Sequence, residues 1–100
     1  MNIREAVRPN LVFLDLEAGG ADQAIARMAH ELAREAGLDE QRVEAALIER
    51  ERLGSTAVGN GFAIPHCKLG GLDEIIVALA AFPDGVAFSD AAETSPVIFF

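Results

Sequence analysis

The segment from Glu49 to Leu69, E-R-E-R-L-G-S-T-A-V-G-N-G-F-A-I-P-H-C-K-L, constrains the fold more than any other. A charged helical stretch ends at Leu53-Gly54 and the polar pair Ser55-Thr56 follows. The chain then reverses through Gly59-Asn60-Gly61, residues that tolerate positive φ. The reversal predicts a hairpin in which Thr56–Val58 returns beside Phe62-Ala63-Ile64. Pro65 fixes its own φ and biases Ile64 towards extended geometry. His66 therefore sits at the end of a rigid apolar segment with a fixed backbone and a free side chain. Such a histidine has two readings, a hydrogen-bonded structural residue or a nucleophile. A neutral imidazole attacks phosphorus, and the planar fork of an arginine within folding reach, Arg50, suits phosphate oxygens.

The neighbours of His66 carry alternatives of their own. Asp39 can cap a helix running to about Arg52, with Val43, Ala46 and Leu47 as its apolar face. Arg50 extends the line of that face at the last turn. It reads either as a phosphoryl ligand or as a C-terminal charge favoured by the helix dipole and by neighbours one turn away. Glu49, Glu51, Arg42 and Arg52 read as solvated charges. Thr56 is either a turn or strand hydroxyl, or a hydroxyl that orients the imidazole. Cys67 follows His66 on an extended segment, where neighbours point to opposite faces, so a Cys–His nucleophile pair is not expected. One cysteine and two histidines are too few to build a zinc site.

Elsewhere the pattern alternates strand and helix. Leu11-Val12-Phe13-Leu14, bounded by Pro9-Asn10 and Asp15, predicts a first strand, with Leu16 continuing its apolar contact. Gly19-Gly20 breaks the chain. Ile25, Met28, Leu32 and Ala36 recur at helical spacing and predict a helix over 21–36 that stops at Gly37. His30 lies off that stripe and reads as solvated. The unbroken apolar run Ile75 to Phe82 predicts a central strand covered on both faces. Pro83-Asp84-Gly85 turns it into a short return strand, Val86-Ala87-Phe88, making a hairpin. Val97 to Phe100 opens a further strand, and an uncovered apolar strand there would be a site of self-association. The reading is α/β, with one mixed β-sheet.

Composition narrows the function. One hundred residues allow one domain with one modest core, and a hydrophobic share of 51% argues against disorder. The formal charge of −8 argues against non-specific nucleic-acid binding and leaves a basic protein partner open. No apolar run reaches the roughly eighteen residues of a membrane span, and no signal-peptide core follows Met1. With a lone cysteine, these features predict a cytoplasmic protein without membrane insertion.

The pattern R-E-x-x-G-S-T-x-x-G-N-G-x-A-I-P-H is carried here by Arg50, Glu51, Gly54, Ser55, Thr56, Gly59, Asn60, Gly61, Ala63, Ile64, Pro65 and His66. It resembles the signature of the enzyme IIA domains of the bacterial sugar phosphotransferase system, of fructose, mannitol and nitrogen-regulatory type. The resemblance implies helices packed on both faces of the mixed sheet, some of them beyond residue 100. It also implies that 1–100 is a single domain of which the chain holds about the first two-thirds. It makes His66 the phosphoacceptor, through its Nε2 nitrogen, with Arg50 stabilising the phosphoryl group and Thr56 a candidate orienting hydroxyl. The implied activity is a phosphotransferase without metal or small cofactor. The phosphoryl group would come from the phosphocarrier protein HPr or its nitrogen-branch equivalent. It would pass to an enzyme IIB domain in sugar transport, or act as a switch on a regulatory target in nitrogen regulation. A truncated domain that folds and transfers nothing is the remaining alternative.

Overall fold

The computed structural model describes residues 7–59, 62–72, 75–87 and 97–99. Strand β1 runs Val7–Phe13, helices α1 and α2 run Ala21–Ala36 and Glu40–Arg52, and four strands follow: β2 Ala57–Gly59, β3 Phe62–Ala63, β4 Val77–Ala81 and β5 Val97–Phe99. The architecture is mixed α/β, as the sequence pattern implies.

The helix pair follows from local rules. Gly20 precedes α1 in an extended conformation, and the Gln23 side chain reaches back to accept the Gly19 N–H at 2.7 Å. Gly37 ends α1 in the left-handed region at φ 72°, donating its N–H to the Ala33 carbonyl. That conformation suits a residue without Cβ. Asp39 caps α2, its Oδ1 accepting the Arg42 N–H at 3.1 Å. Ala24, Ile25, Met28, Ala29 and Leu32 of α1 are buried with Val43 and Leu47 of α2. Each full burial of such a large side chain contributes roughly 1.5–3 kcal/mol before entropy is counted. α1 packs on α2 and on β1. Exposed His30 does not idle in solvent: its Nδ1 lies 3.0 Å from Glu40 Oε1 and ties the two helices at their outer edge. Glu31 is buried but faces two guanidinium groups, Arg27 at 3.2 Å and Arg34, so its charge is paired.

The sheet has the order β1-β4-β5-β3-β2. β1 lies parallel to β4, β4 antiparallel to β5, β5 parallel to β3, and β3 antiparallel to β2. Four expectations change. β1 begins at Val7 and so contains Pro9 and Asn10 rather than being bounded by them. Among the described residues β1 is the outermost strand of the sheet, a position that accepts a proline because no described strand pairs with its outer side, and its register shifts between Val7 and Val12. The strand in the run from Ile75 begins only at Val77, and Ile75 is exposed. Only one of its faces is fully closed: Ala78 and Ala80 are inaccessible, whereas Val77, Leu79 and Ala81 are half-buried.

The hairpin expected after Pro83 does not form as a strand pair. The turn itself is present, with the Gly85 N–H donating to the Phe82 carbonyl at 2.7 Å and Gly85 at φ 80°. Both edges of β4 along Val77–Ala81 are already used, by β1 on one side and β5 on the other, and beyond the turn only Ala87 forms an isolated bridge. Val86 goes into the core instead, and Phe88 lies outside the described residues. For the same reason β5 is not a free edge. It is hydrogen-bonded to β4 and to β3, which leaves no ladder edge along Val97–Phe99 open to a second chain.

Candidate functional site

The expected hairpin does form where His66 is placed. β2 and β3 pair antiparallel, with Ala57 opposite Ala63 and Gly59 opposite Phe62. The Ile64 N–H continues the pairing by donating to the Thr56 carbonyl at 3.0 Å. Asn60 and Gly61, the tip of the turn, lie outside the described residues. Beyond β3 the exposure alternates: Ile64 exposed, Pro65 buried, His66 exposed, Cys67 half-buried. This is the pattern of an extended segment with its proline pinned in the core.

The imidazole is held by its own segment. His66 Nδ1 lies 2.9 Å from the Ile64 carbonyl oxygen. A carbonyl only accepts, so Nδ1 is the protonated nitrogen and donates. In the neutral ring the other nitrogen, Nε2, then carries the lone pair. The exposed side chain therefore presents a basic nitrogen in one tautomer.

Arg50 is half-buried in the last turn of α2, and its Nη1 donates to the Gly54 carbonyl at 3.0 Å. This bond, the one made by the guanidinium among the described residues, uses one of five donors and fixes the group at the helix end from which the chain leads to Thr56. Among the hydrogen bonds of the described residues, none joins Arg50 directly to His66.

Thr56 is 5% exposed, and its hydroxyl donates to Glu51 Oε1 at 2.6 Å while its backbone N–H donates to Glu51 Oε2 at 3.0 Å. The hydroxyl thus faces the helix end, and the group on the imidazole is the Ile64 carbonyl. Glu51 is consequently no ordinary solvated charge. Its signal was present in the sequence: a carboxylate in the last turn of a helix runs against the macrodipole, so it needs a reason to be there. Arg42, also read as solvated, is exposed and donates to the Gly70 carbonyl at 3.0 Å, bridging α2 to the loop after His66.

Cys67 packs against the core, and burial pushes its thiol pKa up. It therefore has less thiolate character than an open cysteine. An apolar cavity of about 710 Å³ opens behind the segment, lined among others by Leu32, Leu47, Pro65, His66, Leu72 and Ile76. Among the described residues, no group of three or more His, Cys, Asp and Glu side chains is gathered that could hold a metal ion. No helix among them is long and apolar enough to cross a membrane.

The family model of the phosphoenolpyruvate-dependent sugar phosphotransferase system, EIIA 2, matches residues 5–100, and the chain belongs to that family. It is 34% identical to a nitrogen regulatory protein of Pseudomonas aeruginosa over 98 residues, 97% of this chain and 63% of that protein. Among solved structures, the nitrogen regulatory protein IIA-Ntr of Neisseria meningitidis superposes with a TM-score of 0.87 at 31% identity, covering 97% of this chain and 67% of that one. The mannitol IIA of Escherichia coli, in its complex with phosphorylated IIB, shares the fold at a TM-score of 0.76 and 21% identity, covering 93% of this chain and 68% of that one. The chain thus spans 63% of the length of the nitrogen regulatory protein of P. aeruginosa.

Proposed function

We propose that the chain is a phosphoryl carrier in which His66 Nε2 accepts a phosphoryl group from the phosphohistidine of a phosphocarrier protein. The observation that carries this reading is the bond from His66 Nδ1–H to the Ile64 carbonyl, which leaves Nε2 unprotonated on an exposed ring. In the transfer, the Nε2 lone pair forms a bond to phosphorus as the donor's P–N bond breaks, and that electron pair returns to the donor imidazole. Nδ1 keeps its proton throughout, and the Ile64 carbonyl stabilises the charge that develops on the ring. Such a reaction asks chiefly for positioning and charge stabilisation. Arg50 supplies the cation, with donors beyond the one that holds Gly54. Thr56 acts through the backbone, by fixing Ile64, rather than by touching the ring. The working compartment is the cytoplasm, where a phosphocarrier would be met.

The downstream step has two forms. The family membership and the mannitol IIA–IIB complex support onward transfer to a IIB domain. The nitrogen regulatory relatives, matched over 97% of this chain, favour the second form, in which the phosphorylation state switches binding to a regulatory target. The test of the shared step is incubation with phosphoenolpyruvate, enzyme I and the phosphocarrier, read by intact mass. An acid-labile, base-stable adduct on the parent and none on His66→Ala is the expected result. No adduct on a parent chain shown to be folded by circular dichroism overturns the reading.

A further inference from the structure

Four hydrogen bonds run from the end of α2 to the imidazole, and together they fix more than the hairpin needs. Glu51 grips Thr56 twice, at the backbone N–H and at the hydroxyl, 3.0 and 2.6 Å from its two carboxylate oxygens. The Thr56 carbonyl accepts the Ile64 N–H at 3.0 Å. The Ile64 carbonyl accepts His66 Nδ1–H at 2.9 Å. Ile64 is thereby held at both of its backbone polar groups, and Pro65 between Ile64 and His66 removes one further torsional freedom. The grip is well protected: Thr56 is almost inaccessible, and hydrogen bonds to a carboxylate are roughly twice as strong as neutral ones.

We propose that Glu51 is a positioning residue that sets the tautomer and direction of His66 through Thr56 and Ile64. The proposal deepens the reading of His66 as the accepting residue and rests on it for its functional meaning, but its geometry stands apart from any transfer. Without the double grip, Thr56 can rotate about its own backbone, the Ile64 carbonyl loses its fixed direction, and the ring is released to exchange its proton between Nδ1 and Nε2. A ring protonated at Nε2 has its lone pair on the wrong nitrogen for the exposed position. Glu51 also couples the two parts of the site, because it follows Arg50 in the same helical turn. A shift of the α2 end moves the guanidinium and the imidazole support together.

The test is the protonation state of the His66 ring nitrogens, read by long-range proton–nitrogen NMR on the uniformly labelled chain at a pH where the ring is neutral. The parent is expected to show a protonated Nδ1 and an unprotonated Nε2. In Glu51→Ala, and less completely in Thr56→Val, the two nitrogen resonances are expected to move towards each other as the tautomers mix. Thr56→Ser, which keeps both donors, is expected to restore the parent pattern. A merely structural role would lower the melting temperature and leave the ring nitrogens of the folded chain unchanged. Parent-like resonances in a folded Glu51→Ala chain overturn the proposal. If that variant does not fold, parent-like resonances in Thr56→Val do the same. The readout needs no phosphoryl donor. A chain that takes up no phosphoryl group but loses its tautomer preference in Glu51→Ala would sink the transfer reading and keep this one.

Discussion

The helix pair and the segment from Gly54 to Leu69 are built by opposite means. α1 and α2 are specified locally: an apolar stripe of Ala24, Ile25, Met28 and Leu32, a left-handed Gly37, and an Asp39 cap. The His66 segment has two short strands of three and two residues, and its conformation comes from contacts between positions far apart in its own length. Glu51 reaches Thr56, Thr56 reaches Ile64, and Ile64 reaches His66. The helices supply stability and a fixed point at Arg50 and Glu51. In the proposed reading, the segment uses that fixity to aim one nitrogen of His66. Damage to the first region should therefore appear in stability and damage to the second in chemistry.

The largest effect that sharpens this contrast is in the segment. His66→Ala should remove the phosphoryl adduct completely while the circular dichroism spectrum stays that of the parent, because the ring is exposed and its only described bond is to its own segment. Arg50→Ala comes next and should slow transfer about a hundredfold, the usual cost of losing one preorganised charge-stabilising group. Arg50→Lys should recover only part of that loss in rapid-quench kinetics, since an ammonium cannot form the planar fork. A full recovery would mean that net charge alone is used.

In the helix pair the order of effects is thermodynamic. Ile25→Ala should destabilise by about 2–5 kcal/mol in urea unfolding, since the side chain is fully inaccessible and leaves a cavity. Adduct formation per folded molecule should stay close to the parent's. Asp39→Ala should cost about 1 kcal/mol through loss of the cap bond to Arg42 N–H. If either variant altered the transfer rate of the folded fraction, the division of labour between the two regions would fail.

The smallest effect is at Cys67. Burial raises its thiol pKa, so at any given pH below that value less thiolate is present than in the unfolded chain. Alkylation by iodoacetamide should be slower in the folded protein, and its rate should climb at higher pH than in urea. Equal rates in the two states would place the thiol in solvent and contradict the alternation of Pro65, His66 and Cys67.

What could be read from the sequence follows the same division. The helix bounds, both caps and the hairpin around Gly59 follow from periodicity and turn chemistry, which act over a few residues. His66 and Arg50 stand out because their spacing sits inside a long motif. The interior place of β5 did not show, since an apolar strand looks the same whether it lies at an edge or between two partners. The same blindness produced the hairpin expected of Val86-Ala87-Phe88 with β4: β1 and β5 occupy both edges of β4, and among the described residues only Ala87 is left as an isolated bridge. Pro9 hid the first half of β1, because only the sheet order reveals that the strand is the outermost of those described. Glu51 was missed because its partner, Thr56, lies beyond the helix end, where no periodic rule connects them.

The central claim is that the Ile64 carbonyl keeps the proton on Nδ1 and leaves Nε2 to react. It is tested most directly by locating phosphorus on the ring of the phosphorylated chain, through phosphorus–nitrogen couplings in the labelled protein. The account predicts phosphorus on His66 Nε2, with Nδ1 still protonated. Phosphorus on Nδ1 would require the bond to Ile64 to be absent in the reacting state and would contradict it.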